Sequence, residues 1–284
     1  MPSTWLITGT ASGFGRAVTE QLLERGDRVA ATLRRPERLD DLRAAHPGQL
    51  RTYDLDVTDT ARLRAVVDEA WADHTRIDVV LSNAGSGVFG AAEELSDEQI
   101  HAGVATNLTA SIQLARAALG HLRAQGGGRL LQLSSMGGQM AFPAFGLYHA
   151  TKWGIEGFYE ALAPEVEPFG VRTTLIEPGV VRTPFFDAAE RTPEQPAYAG
   201  HPAISREPIP LEAMPGDPAK VARAIVALGE QDDPPRRQLL GSDALALVTD
   251  ALRARLREAE GGADVARSTD VDGCWVAADA VATA

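Results

Sequence analysis

Short apolar runs alternate with stretches of helical periodicity along most of the chain. The apolar runs predict strands at residues 4–8, 29–33, 50–55, 77–81, 130–133, 171–176 and 237–240. Helices are predicted at residues 16–25, 36–45, 96–125 and 147–166, after Thr58 or Asp59, from about residue 217, and from the last strand to residue 260. This alternation predicts an α/β fold: a doubly wound parallel sheet in a single domain, with helices on both faces.

Two segments depart from the alternation. Residues 183–218 hold eight of the 17 prolines and show little periodic patterning. Unpatterned segments of this length inside a domain are usually functional or disordered, so a substrate loop or lid is expected, with an ordered surface excursion as the alternative. Residues 261–284 are small and acidic, and predict a tail that either is flexible or folds over the pocket. Residues 1–260 are therefore expected to form the catalytic domain.

Composition excludes several classes of partner. The formal net charge of −12 disfavours nucleic acid or an anionic membrane as a main partner, since both favour clustered Lys and Arg. No apolar run reaches the length of a membrane span, and residues 1–3 lead into an apolar strand without a signal peptide, so a cytoplasmic protein is expected. The single cysteine, Cys274, excludes an intramolecular disulfide. No metal site is predicted.

A glycine-rich turn follows the first predicted strand and opens the first predicted helix. Residues without a Cβ let the backbone approach a pyrophosphate, and the helix N-terminus supplies unpaired N–H groups and a positive dipole end. A glycine cluster alone can be a simple tight turn, but the flanking strand and helix favour nucleotide binding. The residues predicted to contact the nucleotide here are Gly9, Ser12, Gly13, Phe14 and Gly15.

Tyr148 and Lys152 lie one helical turn apart, on one face of a predicted helix. A phenol has an ordinary pKa of ~10, and a nearby ammonium favours its ionised form. The pair is therefore interpreted as an acid–base device in which Lys152 lowers the pKa of Tyr148. Ser135 lies thirteen positions before Tyr148. A tyrosine and a lysine at this spacing would, taken alone, also suit a solvated helix face.

Several motifs occur together in one order: Thr-Gly-x-x-x-Gly-x-Gly, Asn83-Ala84-Gly85, Ser135, Tyr148-x-x-x-Lys152 and Pro178-Gly179. Over about residues 4–185 they resemble the short-chain dehydrogenase/reductase family, and Ser268-Thr269-Asp270 resembles a segment of its 17β-hydroxysteroid-dehydrogenase-like members. The resemblance implies a Rossmann-type fold, a Ser-Tyr-Lys catalytic site, and a homodimer or homotetramer. It also implies that Asn107 takes part in a water-linked proton relay.

The same resemblance implies a nicotinamide dinucleotide as cofactor. Its further expected contacts are Asp56, Val57, Asn83, Ala84, Gly85, Tyr148, Lys152, Pro178, Gly179, Val181 and Thr183. For Asp56 a helix-capping role is the alternative. At the end of the second strand, where an acidic residue would repel a 2′-phosphate, the chain has Arg34 and Arg35. NADP(H) is therefore favoured, with NAD(H) still possible because Ser12 replaces the basic residue that is the family's other NADP indicator.

These interpretations converge on an NADPH-dependent reductase of ketones or aldehydes, or the reverse alcohol dehydrogenase, acting on an apolar small molecule. Ser135 would bond the carbonyl oxygen, Tyr148 would protonate it, and Lys152 would bind the nicotinamide ribose. Two alternatives remain open. An imine reductase, epimerase or dehydratase would keep most of these motifs, whereas a noncatalytic dinucleotide-binding regulator would need only the glycine-rich turn.

Overall fold

A seven-stranded parallel sheet forms the centre of the molecule in the computed structural model, which describes residues 2–207 and 209–271. The strands are β1 (Thr4–Thr8), β2 (Arg28–Leu33), β3 (Leu50–Asp54), β4 (Val79–Ser82), β5 (Val88–Phe89), β6 (Gly128–Leu133), β7 (Val171–Pro178), β8 (Glu190–Arg191) and β9 (Arg237–Leu240). The main sheet has the order β3-β2-β1-β4-β6-β7-β9, and β5 pairs with β8 in a separate parallel ribbon. Every strand predicted from the apolar runs is present, with its ends shifted by at most a few residues.

Helices cover both faces of the sheet. They are α1 (Gly13–Glu24), α2 (Asp40–Ala45), α3 (Thr60–His74), α4 (Asp97–Val104), α5 (Ala110–Ala124), α6 (Gly146–Val166), α7 (Phe185–Ala188), α8 (Pro218–Glu230), α9 (Ser242–Gly261) and α10 (Ala263–Ser268). Leu63 of α3, Leu114 of α5 and Ile155 of α6 join one buried core. Val18 of α1 and Ile225 of α8 join the core on the other face. Since all five β1 residues are buried, as in a sheet covered on both sides, the predicted doubly wound α/β fold is confirmed.

Side-chain caps fix where three of the helices begin. Asp59, rather than Thr58, caps α3 by accepting a hydrogen bond from the Arg62 N–H at 2.9 Å. Ser96 forms a capping box with Gln99 at the start of α4, and Asp217 caps α8. The first helix was predicted too short: α1 begins at Gly13, so the last part of the glycine-rich turn is already helical.

The topology places a cleft at the carboxyl ends of the strands. After β1 the chain builds the sheet outward through β2 and β3, and then returns to place β4 on the other side of β1. Ligands of open parallel sheets bind where the strand order reverses in this way. The loops after β1, β4, β6 and β7 meet at this edge.

The C-terminal part of the described chain is helical. α9 packs Ala244 and Val248 against Met136 and Met140, and α10 follows it with an exposed surface. The predicted tail, 261–284, is described only to residue 271, so its role over the pocket and Cys274 lie outside the described residues. Among the described residues, no helix is long and apolar enough to cross a membrane, and no group of three acidic, His or Cys side chains is arranged to hold a metal.

Candidate active site

The loops at the carboxyl edge surround a cavity of about 1350 Å³. Most of the residues predicted to act in catalysis or cofactor binding line it: Gly9, Ser12, Gly13, Phe14, Arg34, Asp56, Val57, Asn83, Ala84, Gly85, Ser135, Tyr148, Lys152, Pro178, Gly179, Val181 and Thr183. Three predicted residues, Gly15, Arg35 and Asn107, are not part of this wall. The structure thus gathers residues from sequence positions 9 to 183 into one site.

The glycine-rich turn has the geometry of a phosphate cradle. Gly9 and Gly13 adopt φ values of +73° and +56°, a region that residues with a Cβ rarely enter. A Cβ on Gly13 would meet nothing within 4 Å, so the backbone N–H groups that open α1 are accessible. A Cβ on Gly15 would instead collide with the Gly9 carbonyl and the Asn83 side chain. Gly15 therefore serves the packing of the turn, and the turn fits an anionic diphosphate.

Asn83 locks this turn to the end of β4. Its Nδ2 donates to the carbonyls of Thr8 and Gly9 at 2.8 and 3.1 Å. In return, the Thr8 hydroxyl accepts hydrogen bonds from the backbone N–H groups of Asn83 and Ala84 at 2.9 and 3.0 Å. The Asn83 side chain is thus committed to holding two loops together, which leaves the backbone of Ala84 and Gly85 to face the cavity.

Arg34 and Asp56 occupy the cavity end beyond β2 and β3. Arg34 is exposed in the wall, whereas Arg35 points elsewhere. Asp56 accepts hydrogen bonds from the Thr58 hydroxyl and N–H at 2.7 and 2.9 Å, and these bonds, with a smaller contribution from Arg34, lower the pKa of Asp56. Asp56 therefore does not cap α3. A solvent-facing guanidinium at this end of the cavity fits a 2′-phosphate.

Tyr148 and Lys152 lie on α6, next to Ser135 at the end of β6. The Lys152 Nζ donates to the Leu133 carbonyl at 2.9 Å and lies 5.6 Å from the centre of the Tyr148 ring. Burial lowers the pKa of Lys152 to about 8, although the charge of Glu156 opposes this shift. Lys152 is thus a buried group that titrates near neutral pH.

The expected fall in the pKa of Tyr148 is not found. Burial raises this pKa to about 12, and only a hydrogen bond with Ser135 opposes the shift. The ammonium of Lys152 is near the ring rather than among the groups that stabilise the tyrosinate. Tyr148 is therefore a neutral phenol at physiological pH, which is the form required of a proton donor.

Asn107 supports the cavity wall from behind. Its Oδ1 accepts from the Ser86 N–H and its Nδ2 donates to the Ser86 carbonyl, both at 2.8 Å. It lies in a π-helical turn, Ala105–Thr109, which interrupts the predicted continuous helix of residues 96–125. Such turns are often found at functional sites. The side chain holds the loop after β4, and the relay role of Asn107 stays a prediction.

Aromatic side chains form the other end of the cavity. The Phe89 ring centre lies 4.3 Å from that of Phe145 and 6.1 Å from that of Phe185, and Phe185 lies 5.5 Å from Tyr148. His149 accepts a hydrogen bond from the Phe142 N–H through Nε2, and burial lowers its pKa, so it is a neutral structural group. The phenol of Tyr148 therefore faces an apolar compartment.

Two acidic residues that hold this site were missed by the sequence analysis. Asp243 of α9 accepts from the Val180 N–H at 2.7 Å and occupies the space beside Gly179, fixing the turn after β7. Glu94 has a fully buried side chain that accepts from Thr192, from the Gln195 N–H and from Arg206. The bond from Arg206 is the largest cause that lowers the pKa of Glu94 to about 2. Glu94 thus fastens residues 192–206 over the cavity, although nothing in its local sequence distinguishes it from a surface acid.

Replacing Glu94 by Ala is expected to loosen this segment. Because the carboxylate joins three parts of it to the body of the domain, its loss favours local opening. Trypsin should then cleave after Arg191 or Arg206 at least ~10-fold faster, since proteolysis follows the open population. Limited digestion read by mass spectrometry measures this rate, with Glu98→Ala, an exposed acid on α4, as control. Equal cleavage of all three proteins would show that Glu94 does not restrain the segment.

Comparison with known proteins agrees with the fold and the motifs. The family profile described as short chain dehydrogenase matches residues 3–194. A 3-ketodihydrosphingosine reductase of Bacteroides thetaiotaomicron is 34% identical over 244 residues, covering 84% of this chain and 88% of the relative. Human 17-beta-hydroxysteroid dehydrogenase type 1 is 34% identical over 199 residues, covering 67% of this chain and 60% of that protein. The predicted resemblance, including its hydroxysteroid-dehydrogenase-like branch, is confirmed.

Solved structures lead to the same result. A short-chain dehydrogenase from Streptomyces avermitilis has a TM-score of 0.88 and 39% identity, covering 95% of this chain and 98% of its own. An alcohol dehydrogenase from Thermococcus sibiricus, solved with 5-hydroxy-NADP, has a TM-score of 0.70 and 25% identity, covering 84% of this chain and 96% of its own.

Proposed function

This chain belongs to the short-chain dehydrogenase/reductase family and is an oxidoreductase, and from that premise we propose that it reduces ketones or aldehydes with NADPH, or runs the reverse alcohol oxidation. The observation that carries the proposal is the grouping of the Tyr148 phenol with Ser135 and with the buried ammonium of Lys152, which lies 5.6 Å from the centre of the phenol ring. All three line the cavity that contains the glycine cradle. A turnover screen of carbonyl compounds with NADPH and NADH, read by mass spectrometry, tests it.

The chain's residues fit a bound NADP(H). The cradle of Gly9, Ser12 and Gly13 would hold the diphosphate, Arg34 the 2′-phosphate, and Lys152 the hydroxyls of the nicotinamide ribose. The turn after β7, Pro178 to Thr183, would orient the carboxamide. The dinucleotide, when bound, supplies the hydride.

The protein's own contribution is to bind and protonate the carbonyl oxygen. Ser135 and Tyr148 would both hydrogen-bond that oxygen, and the Tyr148 O–H proton would move to it as negative charge develops. Because its pKa is raised, the phenol stays protonated through neutral pH. Alcohol oxidation would run the same proton transfer in reverse, with the tyrosinate as the base. Lys152 would act through the ribose hydroxyls, which its ammonium would hold next to the phenol.

The substrate is proposed to be apolar. The phenylalanine compartment beside Tyr148 offers aromatic contacts, and the Arg191 guanidinium lies 5.9 Å from the centre of the Phe89 ring. Two relatives are named for 3-ketodihydrosphingosine and for a 17-beta-hydroxysteroid, compounds that are hydrocarbon over most of their structure. We propose an apolar ketone of this general kind. Cytoplasmic location and assembly as a homodimer or homotetramer stay predictions.

Replacing Arg34 by Ala is expected to reduce the preference for NADPH. A guanidinium bonded to phosphate is typically worth about 1.5–3 kcal/mol, so kcat/KM for NADPH should fall by ~10- to 100-fold. The value for NADH, which lacks the 2′-phosphate, should change by less than ~3-fold. Initial rates with both nucleotides measure this, and Arg38→Ala is the control because Arg38 is exposed nearby but lies outside the cavity wall. An equal loss with both nucleotides would remove Arg34 from phosphate recognition.

Other reactions on the same scaffold make different products. Imine reduction would be detected in the same screen with amine products, whereas an epimerase or dehydratase would consume no net NADPH. A noncatalytic regulator would bind NADPH and turn over nothing. The clustering of Ser135, Tyr148 and Lys152 around one cavity favours the enzymatic reading, because a regulator has no use for a buried acid–base group.

A further inference from the structure

Two buried carboxyl groups lie directly behind Lys152. Glu156 follows Lys152 by one turn of α6, and Glu177 lies near the end of β7. Their side chains are 7% and 1% exposed, so water solvates neither charge. Buried carboxylates are costly unless they are paired with cations or neutralised by protons. Neither residue was singled out by any sequence motif.

One cation serves both groups. The Arg237 Nε lies 2.9 Å from Glu156 Oε2 and 3.5 Å from Glu177 Oε1, and Gln139 donates to Glu177 Oε1 at 2.8 Å. Glu156 Oε1, in contrast, is buried against Gly138 and has no hydrogen-bond partner among the described residues. Arg237 also bonds the exposed Glu160, so it cannot neutralise both buried charges. The Lys152 Nζ donates to the Leu133 carbonyl and makes no ion pair with either carboxylate among the described residues, so the pair is short of one bonded cation and one hydrogen-bond donor.

A single proton supplies both. The two carboxyl groups both contact the Arg237 Nε, and burial together with the charge of Glu156 raises the pKa of Glu177 to about 7. A proton on Glu177 provides the missing donor. The other charged groups that face the pair are Lys152 and Glu160 from α6 and Arg237 from β9, while Arg255 of α9 binds the Gln139 carbonyl at 2.6 Å.

We propose that Glu156 and Glu177 are positioning residues that share one proton near neutral pH, and that the Glu156 carboxylate keeps Lys152 charged beside Tyr148; this inference rests on the function proposed above. Two observations support it. The carboxylate and the ammonium lie one helical turn apart in a region from which water is excluded. Glu156 is also the group that opposes the burial-induced fall in the pKa of Lys152.

The pair extends the pH range over which Lys152 stays charged. As the pH rises through about 7, Glu177 loses its proton and the pair gains a second negative charge. This gain comes just before the pH of about 8 at which Lys152 would lose its own proton. Additional negative charge behind the ammonium delays that loss.

Two glutamine variants test the pair through the pH profile of carbonyl reduction. Glu156→Gln removes the carboxylate and should move the alkaline fall of kcat/KM down by about one pH unit, which is a ~10-fold loss on that limb. Glu177→Gln mimics the protonated state at every pH and should move the limb in the same direction by less. Near pH ~6 both variants should stay within ~3-fold of wild type. Glu165→Gln, an exposed acid near the end of α6, should leave the limb in place.

Thermal unfolding gives a second readout that needs no substrate. The pKa of Glu177 is raised in the folded state from its ordinary 4.5 to about 7, so its contribution to stability is complete below about 4.5 and is lost as the pH rises through about 7. The thermal midpoint of wild type, measured relative to that of Glu177→Gln, should therefore decrease as the pH rises from 4.5 to about 7.

The two readouts separate failure of this inference from failure of the proposed function. A wild-type enzyme without turnover but with the expected thermal difference would contradict the function alone. A parallel loss of kcat/KM at every pH in both variants would contradict the proposal that Glu156 and Glu177 share a proton. A thermal difference that does not change with pH would contradict it as well.

Discussion

Replacing Tyr148 by Phe is expected to reduce kcat for carbonyl reduction by about 10²- to 10⁴-fold while NADPH binding stays within ~3-fold of wild type. The phenol lines the cavity together with Ser135, and burial raises its pKa to about 12, so it carries its proton at neutral pH. Phe keeps the ring contact with Phe185, so the variant loses only the proton donor and one hydrogen bond. Steady-state kinetics with a confirmed substrate and fluorescence titration of NADPH measure the two effects.

Tyr159 provides a matched control for this substitution. It lies on the same helix, is 1% exposed, belongs to the hydrophobic core, and its hydroxyl has no hydrogen-bond partner among the described residues. Tyr159→Phe should therefore preserve kcat and thermal stability, because it removes a buried hydroxyl that bonds nothing. If Tyr148→Phe kept near-wild-type turnover, the proton would have to come from elsewhere and the assigned role of Tyr148 would be wrong.

Replacing Lys152 by Met is expected to lower kcat/KM for carbonyl reduction by at least ~10²-fold and to make the protein more stable at neutral pH. Activity is expected to fall because the variant lacks the proposed contact of the ammonium with the nicotinamide ribose, next to the proton donor. Met has a similar volume and no charge, so the variant avoids the free-energy cost of removing an ammonium from water. A residue retained for activity at a cost in stability is a common feature of active sites.

The stability effect has a defined pH dependence. The pKa of Lys152 falls from its ordinary 10.5 to about 8 on folding, so the unfolded chain binds more protons between these values and wild-type stability rises with pH across them. Below about 8 the full cost of the buried charge is present, up to about 3 kcal/mol from the shift alone. The advantage of Lys152→Met in thermal midpoint should therefore be greatest at neutral pH and shrink towards pH 10.

The control for this experiment is the other lysine of the chain. Lys220 is exposed in the first turn of α8, and the sequence has no third lysine. Lys220→Met should change neither the kinetics nor the pH dependence of stability. Wild-type activity in Lys152→Met, or a lower midpoint at every pH, would contradict the role assigned to the buried ammonium.

The sheet, most helices and the position of the site could be predicted from the sequence because local signals determine them. The apolar run of β1, the glycines that follow it and the caps Asp59 and Ser96 act over a few residues. The start of α1 was misplaced because glycine suits both a turn and the exposed first turn of a helix. The family motifs then predicted which strand ends contribute residues to the cavity.

Long-range contacts could not be predicted in this way. Glu94 bonds Arg206 across 112 positions, and Glu156 and Glu177 meet around Arg237, which is 81 positions from Glu156. Each of these acids has the local sequence of a surface residue, and only the fold buries it. The raised pKa of Tyr148 has the same origin, because its largest cause is burial, which the i to i+4 spacing does not report.

The most direct test follows deuterium from NADPH that carries deuterium at both nicotinamide C4 positions into the product, using wild type and a ketone identified in the turnover screen. The proposed reaction predicts one deuterium on the carbinol carbon of the alcohol for each NADPH oxidised, and almost none in the same time with Tyr148→Phe. An alcohol without deuterium, or NADPH that binds the cavity and is never oxidised by any carbonyl compound, would contradict it.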